Sequence, residues 1–435
     1  MRTLLAPIAS LLGGVALLLL GHGLLNTLLT LRGVAEGYST GLIGLMMSGY
    51  FLGYLFGTWT APPLIRRVGH IRAFACCAAL GAIAALLHVL ILNPWVWLLL
   101  RVLYGVALVT LYMVVESWLN ARVSSDKRGQ VFAIYMLVNL GSLAVAQQLL
   151  RLDDPLSFTL FALAGILICS GLMPITLTHQ AQPTLPDAPS TDIRQLARIA
   201  PLPLAASGLS GLVLGGFWGL APVYASQIGY DASGVGLMMS MTILGGALLQ
   251  WPIGRFSDTH DRRLVMLWVV VLAAALAVLI GTLSASGLQL GLMFVWGGLA
   301  FSIYSVAVAQ MVDQLLPDEI LSGSSGLLLT NGLGSAIGPL AAGAAMHVVG
   351  PQGLPWYFAT VFILLAAFSL YRSHRVIDLL NEPHGHFTPM LRTSHTVLEL
   401  MPDAQETEQA STEVDAEEET AEEANEPPQA EAKRA

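Results

Sequence analysis

An all-α membrane protein of twelve transmembrane helices, arranged as two pseudo-symmetric six-helix bundles, is predicted by three observations. The 435-residue chain is 55% hydrophobic and only 11% charged, with a mean hydropathy of +0.69, a composition foreign to a water-soluble globular domain. Twelve stretches are long and apolar enough to cross about 30 Å of hydrocarbon. The first half of the chain also matches the second in a single gapless register.

In the first half the stretches run over residues 7–31, 40–61, 71–92, 95–119, 130–151 and 156–178. In the second they run over 202–226, 234–253, 264–284, 287–312, 323–349 and 354–373. Each is read as a helix, because the polar backbone of a segment in lipid must be satisfied within that segment. The first stretch exceeds the apolar core of a signal peptide and lacks a small-residue cleavage site, so it counts as a span. Between the halves, Pro183, Pro186 and Pro189 stand among polar residues, and residues 179–201 read as a cytoplasmic linker. The chain is thus divided into a bundle at 1–178, the linker, a bundle at 202–375 and a tail at 376–435.

Charge gives these segments an orientation. Residues 1–375 hold 17 Lys and Arg against 13 Asp and Glu, whereas the tail holds 3 against 15, so the net charge of -8 is +4 for the body and -12 for the tail. A tail so acidic and so poor in aromatics is expected to be disordered. If both termini are cytoplasmic, 17 of the 20 basic residues fall on the inside and only Arg32 and Arg151 on the outside, which is the bias expected of an inner-membrane protein. Cys76, Cys77 and Cys169 lie in apolar runs and imply no disulfide framework. No metal cluster, cofactor motif or nucleic-acid-binding pattern stands out, and a monomer is expected.

Sliding the chain by 192 residues places Gly37-Tyr38 on Gly229-Tyr230, and Gly44-Leu45-Met46-Met47-Ser48 on Gly236-Leu237-Met238-Met239-Ser240. The same offset superposes Gly53 on Gly245, Trp59 on Trp251, Gly105 on Gly297, Tyr112 on Tyr304, Asp126 on Asp318 and Asn139 on Asn331. Shared hydrophobicity does not account for matched Tyr, Trp, Asp and Asn. Parallel repeats of this kind build transporters that hold substrate between two halves near the midplane.

Between spans eight and nine, the run Gly254-Arg255-Phe256-Ser257-Asp258-Thr259-His260-Asp261-Arg262-Arg263 is similar to the loop signature of the major facilitator superfamily, from which Thr259 and Asp261 depart. The loop after span two keeps Arg67 and Gly69 of that signature but has Arg66 where the acid belongs. Arg101-Val102-Leu103-Tyr104-Gly105 resembles the family's Arg-x-x-x-Gly element, and Glu116 with Arg122 its Glu-x5-Arg element. The resemblance covers residues 7–375, and the wording around Glu116-Ser117-Trp118-Leu119-Asn120 is most similar to the YcaD-like branch. It implies the major facilitator fold and secondary or facilitative transport of a small solute by alternating access. It also implies a cytoplasmic gate built on Arg66, Arg67, Glu116, Arg122, Gly254, Asp258, Arg262 and Arg263, in which Asp258 latches onto the start of span eleven.

Candidate cavity residues follow from polarity inside spans. His22 and Asn26 lie one turn apart on a shared face. Arg101 is the one basic residue well inside a span and should face a polar cavity or a partner, unless it snorkels to the outer surface; its fork suits an anionic group. Tyr104, Tyr112, Asn139, Trp218, Tyr304 and Asn331 complete the set, each open to a role as interhelical glue instead. Glu116 is the only carboxylate within the twelve spans, and three roles stay open for it: the gate network, proton coupling, or snorkelling. Gly49, Gly53 and Gly57, like Gly211, Gly215 and Gly219, have the four-residue spacing of close helix packing. A membrane-embedded enzyme and a transporter-like receptor with a partner-binding tail are the alternatives, but the zinc, phosphate-loop and nucleophile-elbow motifs of an enzyme are missing from the sequence.

Overall fold

The computed structural model describes residues 8–122, 127–176, 192–283, 286–316 and 319–373, with only the backbone of Arg122 and Ser373. Most of the linker, the acidic tail, and Asp126 and Asp318 therefore lie outside the described residues. Among the described residues, twelve helices are long and apolar enough to span a membrane. In the first half they are α1 (Ala9–Ala35), α2 (Thr40–Val68), α3 (His70–Leu90), α4 (Pro94–Arg122), α5 (Arg128–Gln148) and α6 (Phe158–Ser170), the last continued past Gly171 by the short α7 (Leu172–Thr176). A 3-10 turn, Leu149–Arg151, closes α5, and the short α8 (Ile193–Ile199) precedes the second half. There the spans are α9 (Pro201–Gln227), α10 (Ala232–Thr259), α11 (Arg262–Thr282), α12 (Gly287–Val312), α13 (Ile320–Val349) and α14 (Gly353–Ser373).

Several helices outrun their apolar stretches. α2 continues through Pro62 and Pro63 to Val68, and α10 through Pro252 to Thr259. Much of what reads as loop signature is thus the last turns of a helix that projects beyond the hydrocarbon, where polar side chains carry no solvation penalty. Only His260 and Asp261 connect α10 to α11. After α2 the single residue Gly69 turns the chain, at φ +85°, a conformation that suits glycine.

The 192-residue repeat is a spatial symmetry. Gly37 and Gly229 both adopt positive φ in the turns that follow α1 and α9. Two residues on, Ser39 caps α2 by accepting from the Leu42 N–H, and Asp231 caps α10 by accepting from that of Gly234. A Cβ at Gly53 would overlap the Val102 carbonyl of α4, and one at Gly245 the Phe294 carbonyl of α12. Conversely, Gly105 abuts the Tyr50 carbonyl and Gly297 that of Thr242. All four crossings obey the same offset. The α2–α4 and α10–α12 pairs are therefore one glycine-mediated packing used twice, close enough to gain dispersion without a hydrophobic driving force in lipid.

The halves meet through α1, α2 and α5 on one side and α9, α10 and α13 on the other. Here too the symmetry holds: Gly44 abuts the Pro339 carbonyl and Gly236 the Gln147 carbonyl. Thr40 donates to the Gly343 carbonyl at 3.1 Å, Ser240 to that of Ala144 at 2.7 Å, and the Leu340 N–H to Ser48 Oγ at 3.1 Å. These atoms lie in the opening turns of α2 and α10 and the closing turns of α5 and α13, so this closure belongs to one end of the bundle. Outward-facing positions stay apolar, with the repeat-matched Trp59 and Trp251 60% and 65% exposed, as a lipid-facing surface requires.

Candidate functional site

Between the halves lies a cavity of about 790 Å³, counting its open mouth. The first half supplies His22 and Asn26 from α1, Tyr50, Phe51 and Tyr54 from α2, Tyr112 from α4 and Leu143 from α5. Leu214 and Trp218 from α9 and Asn331 and Ser335 from α13 complete the wall. Each of these positions falls well inside its helix, which puts the cavity near mid-depth. A concave, aromatic-rich space with a few converging amides is the form of a small-molecule site.

Asn26 joins the two walls. Its Nδ2 donates to the Trp218 carbonyl at 2.9 Å, and its Oδ1 accepts from Arg101 Nη2 at 2.8 Å. Asn26 and Trp218 are themselves 192 residues apart, so the bond joins equivalent points of the two halves. Arg101 is buried, 1% exposed, and stands one side chain behind the wall with its guanidinium carbon 4.6 Å from the centroid of the Tyr50 ring. Tyr104 lies beside it, 3.2 Å from His22 Nδ1 through its hydroxyl. The His22 ring stacks on Tyr104 and tilts over Tyr50, at 5.7 and 5.4 Å.

Of the residues proposed from the sequence, His22, Asn26, Tyr112, Trp218 and Asn331 line the cavity, while Arg101, Tyr104 and Asn139 form the layer behind it. Asn139 accepts from the Tyr112 hydroxyl at 3.3 Å and donates to the Tyr135 carbonyl at 2.8 Å. Asn331 donates to the Ser207 carbonyl and to Ser210 Oγ, at 3.0 and 3.1 Å, so it both lines the cavity and fastens α13 to α9. Tyr304 is buried within α12 and is absent from the lining. Tyr50, Phe51, Tyr54, Leu143, Leu214 and Ser335 were not singled out beforehand. Tyr50 and Tyr54 lie one turn apart on the helix whose glycines were, and an aromatic pair beside a glycine ridge was a usable signal.

The gate candidates gather at the end of the bundle opposite the inter-half closure. Glu116 is buried and accepts from the Tyr135 hydroxyl at 2.9 Å, so it does not snorkel to the surface. Arg66 and Arg67 are exposed at the end of α2, and the side chain of Arg122 lies outside the described residues. Gly254 is buried in α10. One turn on, Asp258 accepts from Arg262 at 3.1 Å, and buried Arg262 also reaches Asp313 at the end of α12, at 3.3 Å. Arg263 donates its backbone N–H to Asp261, which caps α11. These ion pairs join α10, α11 and α12 within the second half.

The Major Facilitator Superfamily model matches residues 11–150 and 204–398. An MFS-type transporter, YcaD, of Escherichia fergusonii is 32% identical over 343 residues, 77% of this chain and 87% of its own. The protein of that name in Escherichia coli O45:K1 is 31% identical over 353 residues, covering 78% and 88%. Among solved structures, the nucleoside transporter NupG superposes with a TM-score of 0.71 at 16% identity over 84% of this chain and 98% of that one. A bacterial homologue of the human lysosomal transporter Spinster, in an inward-facing and occupied conformation, gives 0.69 at 12% identity over 86% and 98%. With the family match spanning both halves and the twelve-helix fold shared, the chain belongs to the major facilitator superfamily and is a multi-pass inner-membrane protein of a transporter family, not an enzyme.

Proposed function

We propose that the protein carries a small solute by alternating access, as a secondary or facilitative carrier that acts as a monomer with both termini cytoplasmic. One observation carries the reading: a mid-depth cavity walled from both halves, at an interface whose hydrogen bonds cluster at one end. With this orientation the fastened end is the outer one, and the cavity opens to the cytoplasm. Return to the outward-open state then requires Asn26, Thr40, Ser48 and Ser240 to release their partners across the interface. The opposite end, with Arg66, Arg67, Glu116, Arg122, Gly254, Asp258, Arg262 and Arg263, would close in turn as the gate.

Residues 1–178 and 202–375 act in this reading as the two rocking bodies and 179–201 as their tether. A proton-coupled carrier would place the proton on Glu116, the buried carboxylate of the spans, whose partner Tyr135 lies one turn from Asn139, the partner of Tyr112 on the cavity wall. A thermal-shift screen of metabolites on the purified protein identifies stabilising solutes, and counterflow in liposomes without ATP tests the carriage. Solute exchange is expected to be lost on Trp218→Ala. Conversion of a stabilising solute in detergent, with no exchange across liposomes, would overturn the carrier reading.

A further inference from the structure

Arg101 is a buried cation with no anion paired to it among the described residues. Its one hydrogen bond among the described residues is the Nη2 donation to Asn26, and neither Nε nor Nη1 has a partner there. The remaining close neighbours are rings, with the Tyr104 centroid at 5.8 Å beyond that of Tyr50 at 4.6 Å. Glu116 lies 15 residues further along the same helix, about 22 Å away at 1.5 Å per residue, and does not serve as its counter-charge. A guanidinium at depth in a membrane protein is costly, and ring faces offset only part of that cost. Nε and Nη1 are both sealed from the cavity and neither forms a fork with the other, so a planar acceptor reaches the guanidinium by taking Nη2 from Asn26 Oδ1 together with the adjoining Nε or Nη1.

The surroundings specify what else the acceptor carries. Asn26 and Tyr50, the two residues that hold Arg101, both line the cavity. Beside them the first half adds Tyr54 and Tyr112 to the wall, and across from them the second half adds Trp218, with Asn331 and Ser335 as its polar groups. We infer that the cavity binds a small aromatic carboxylate, its anionic group held by Arg101 beside Asn26 and its ring stacked against Trp218 and Tyr112. One cation fits one carboxylate, and the aromatic lining suits a ring stacked beside it. The incoming carboxylate competes with Asn26 Oδ1 for Nη2. Because the other end of that amide holds the Trp218 carbonyl of the second half, ligand arrival acts directly on a bond between the rocking bodies. The transport consequence rests on the carrier reading above, whereas the binding site does not.

The test uses the full chain purified in detergent and in liposomes. Benzoate, 4-hydroxybenzoate and indole-3-acetate are compared with benzamide, indole-3-acetamide and benzylamine, reading thermal shift and tryptophan quenching. The acids are expected to bind about ten-fold or more tightly than their neutral amides, as for a buried charge-assisted bond. Arg101→Gln should remove that preference and Arg101→Lys restore part of it. Asn26→Asp, which sets a fixed carboxylate on Nη2, should abolish acid binding while the protein stays folded. Equal affinity for acids and amides in the unaltered protein, no binding of any acid, or unchanged acid binding in Asn26→Asp would overturn the inference. Acids bound but not exchanged in liposomes would leave the site standing and remove the carrier reading. Exchange of a neutral solute with no acid binding would do the reverse.

Discussion

Asn26 divides its amide between Arg101 and the Trp218 carbonyl, and each of those groups is buried enough to need it. Asn26→Ala leaves a guanidinium donor and a carbonyl unsatisfied, a loss of about 1–3 kcal/mol that should appear as a lower unfolding temperature in detergent together with slower exchange. Arg262 has the same character at the other end of the molecule. It is 2% exposed and reaches both Asp258 and Asp313. Its two carboxylate partners keep 27% and 15% of their surface open to water, so Arg262→Gln should cost about 1–3 kcal/mol and lower the unfolding temperature about as much as Asn26→Ala does. Such a variant with unchanged thermal stability would show that the ion pairs contribute nothing net.

At the scale of helices, glycine decides how closely neighbours approach. Gly53 and Gly245 occupy equivalent crossings, so Gly53→Val and Gly245→Val should each push a helix off a carbonyl and destabilise by about 1–3 kcal/mol. Gly141, on α5, has open space where a Cβ would be. Gly141→Ala should therefore be neutral or stabilising by up to about 1 kcal/mol through helix propensity. Fluorescence-detected size exclusion after heating measures all three. The repeat makes a sharper demand than either number: the two valine variants should behave alike, and a large difference between them would argue against equivalent crossings.

At the scale of the whole molecule, the fastened end must open for the cavity to face the other way. A cysteine pair at Ala144 and Ser240, in a background with Cys76, Cys77 and Cys169 replaced by serine, places thiols on the two sides of the α5–α10 contact. Bridging them with a short thiol cross-linker should arrest exchange in liposomes, and a cleavable linker should restore it on reduction. Exchange that continues in fully cross-linked protein would mean that the halves need not part there.

Spans, duplication and the direction of charge bias were written in the sequence, because lipid imposes a length on every crossing segment and a gene repeat leaves its offset in residues as uncommon as Trp59 and Trp251. The caps at Ser39 and Asp231 and the glycine crossings obey that same offset. What only the tertiary structure decided was the rotation of each helix about its axis. A span that is apolar all round carries no mark of which face meets lipid and which meets protein, since both are oily. That is why Leu143, Leu214 and Ser335 emerged only in three dimensions, why Arg101 proved to sit behind the cavity wall, and why Asn26 was found to meet its own repeat counterpart, Trp218, across the interface.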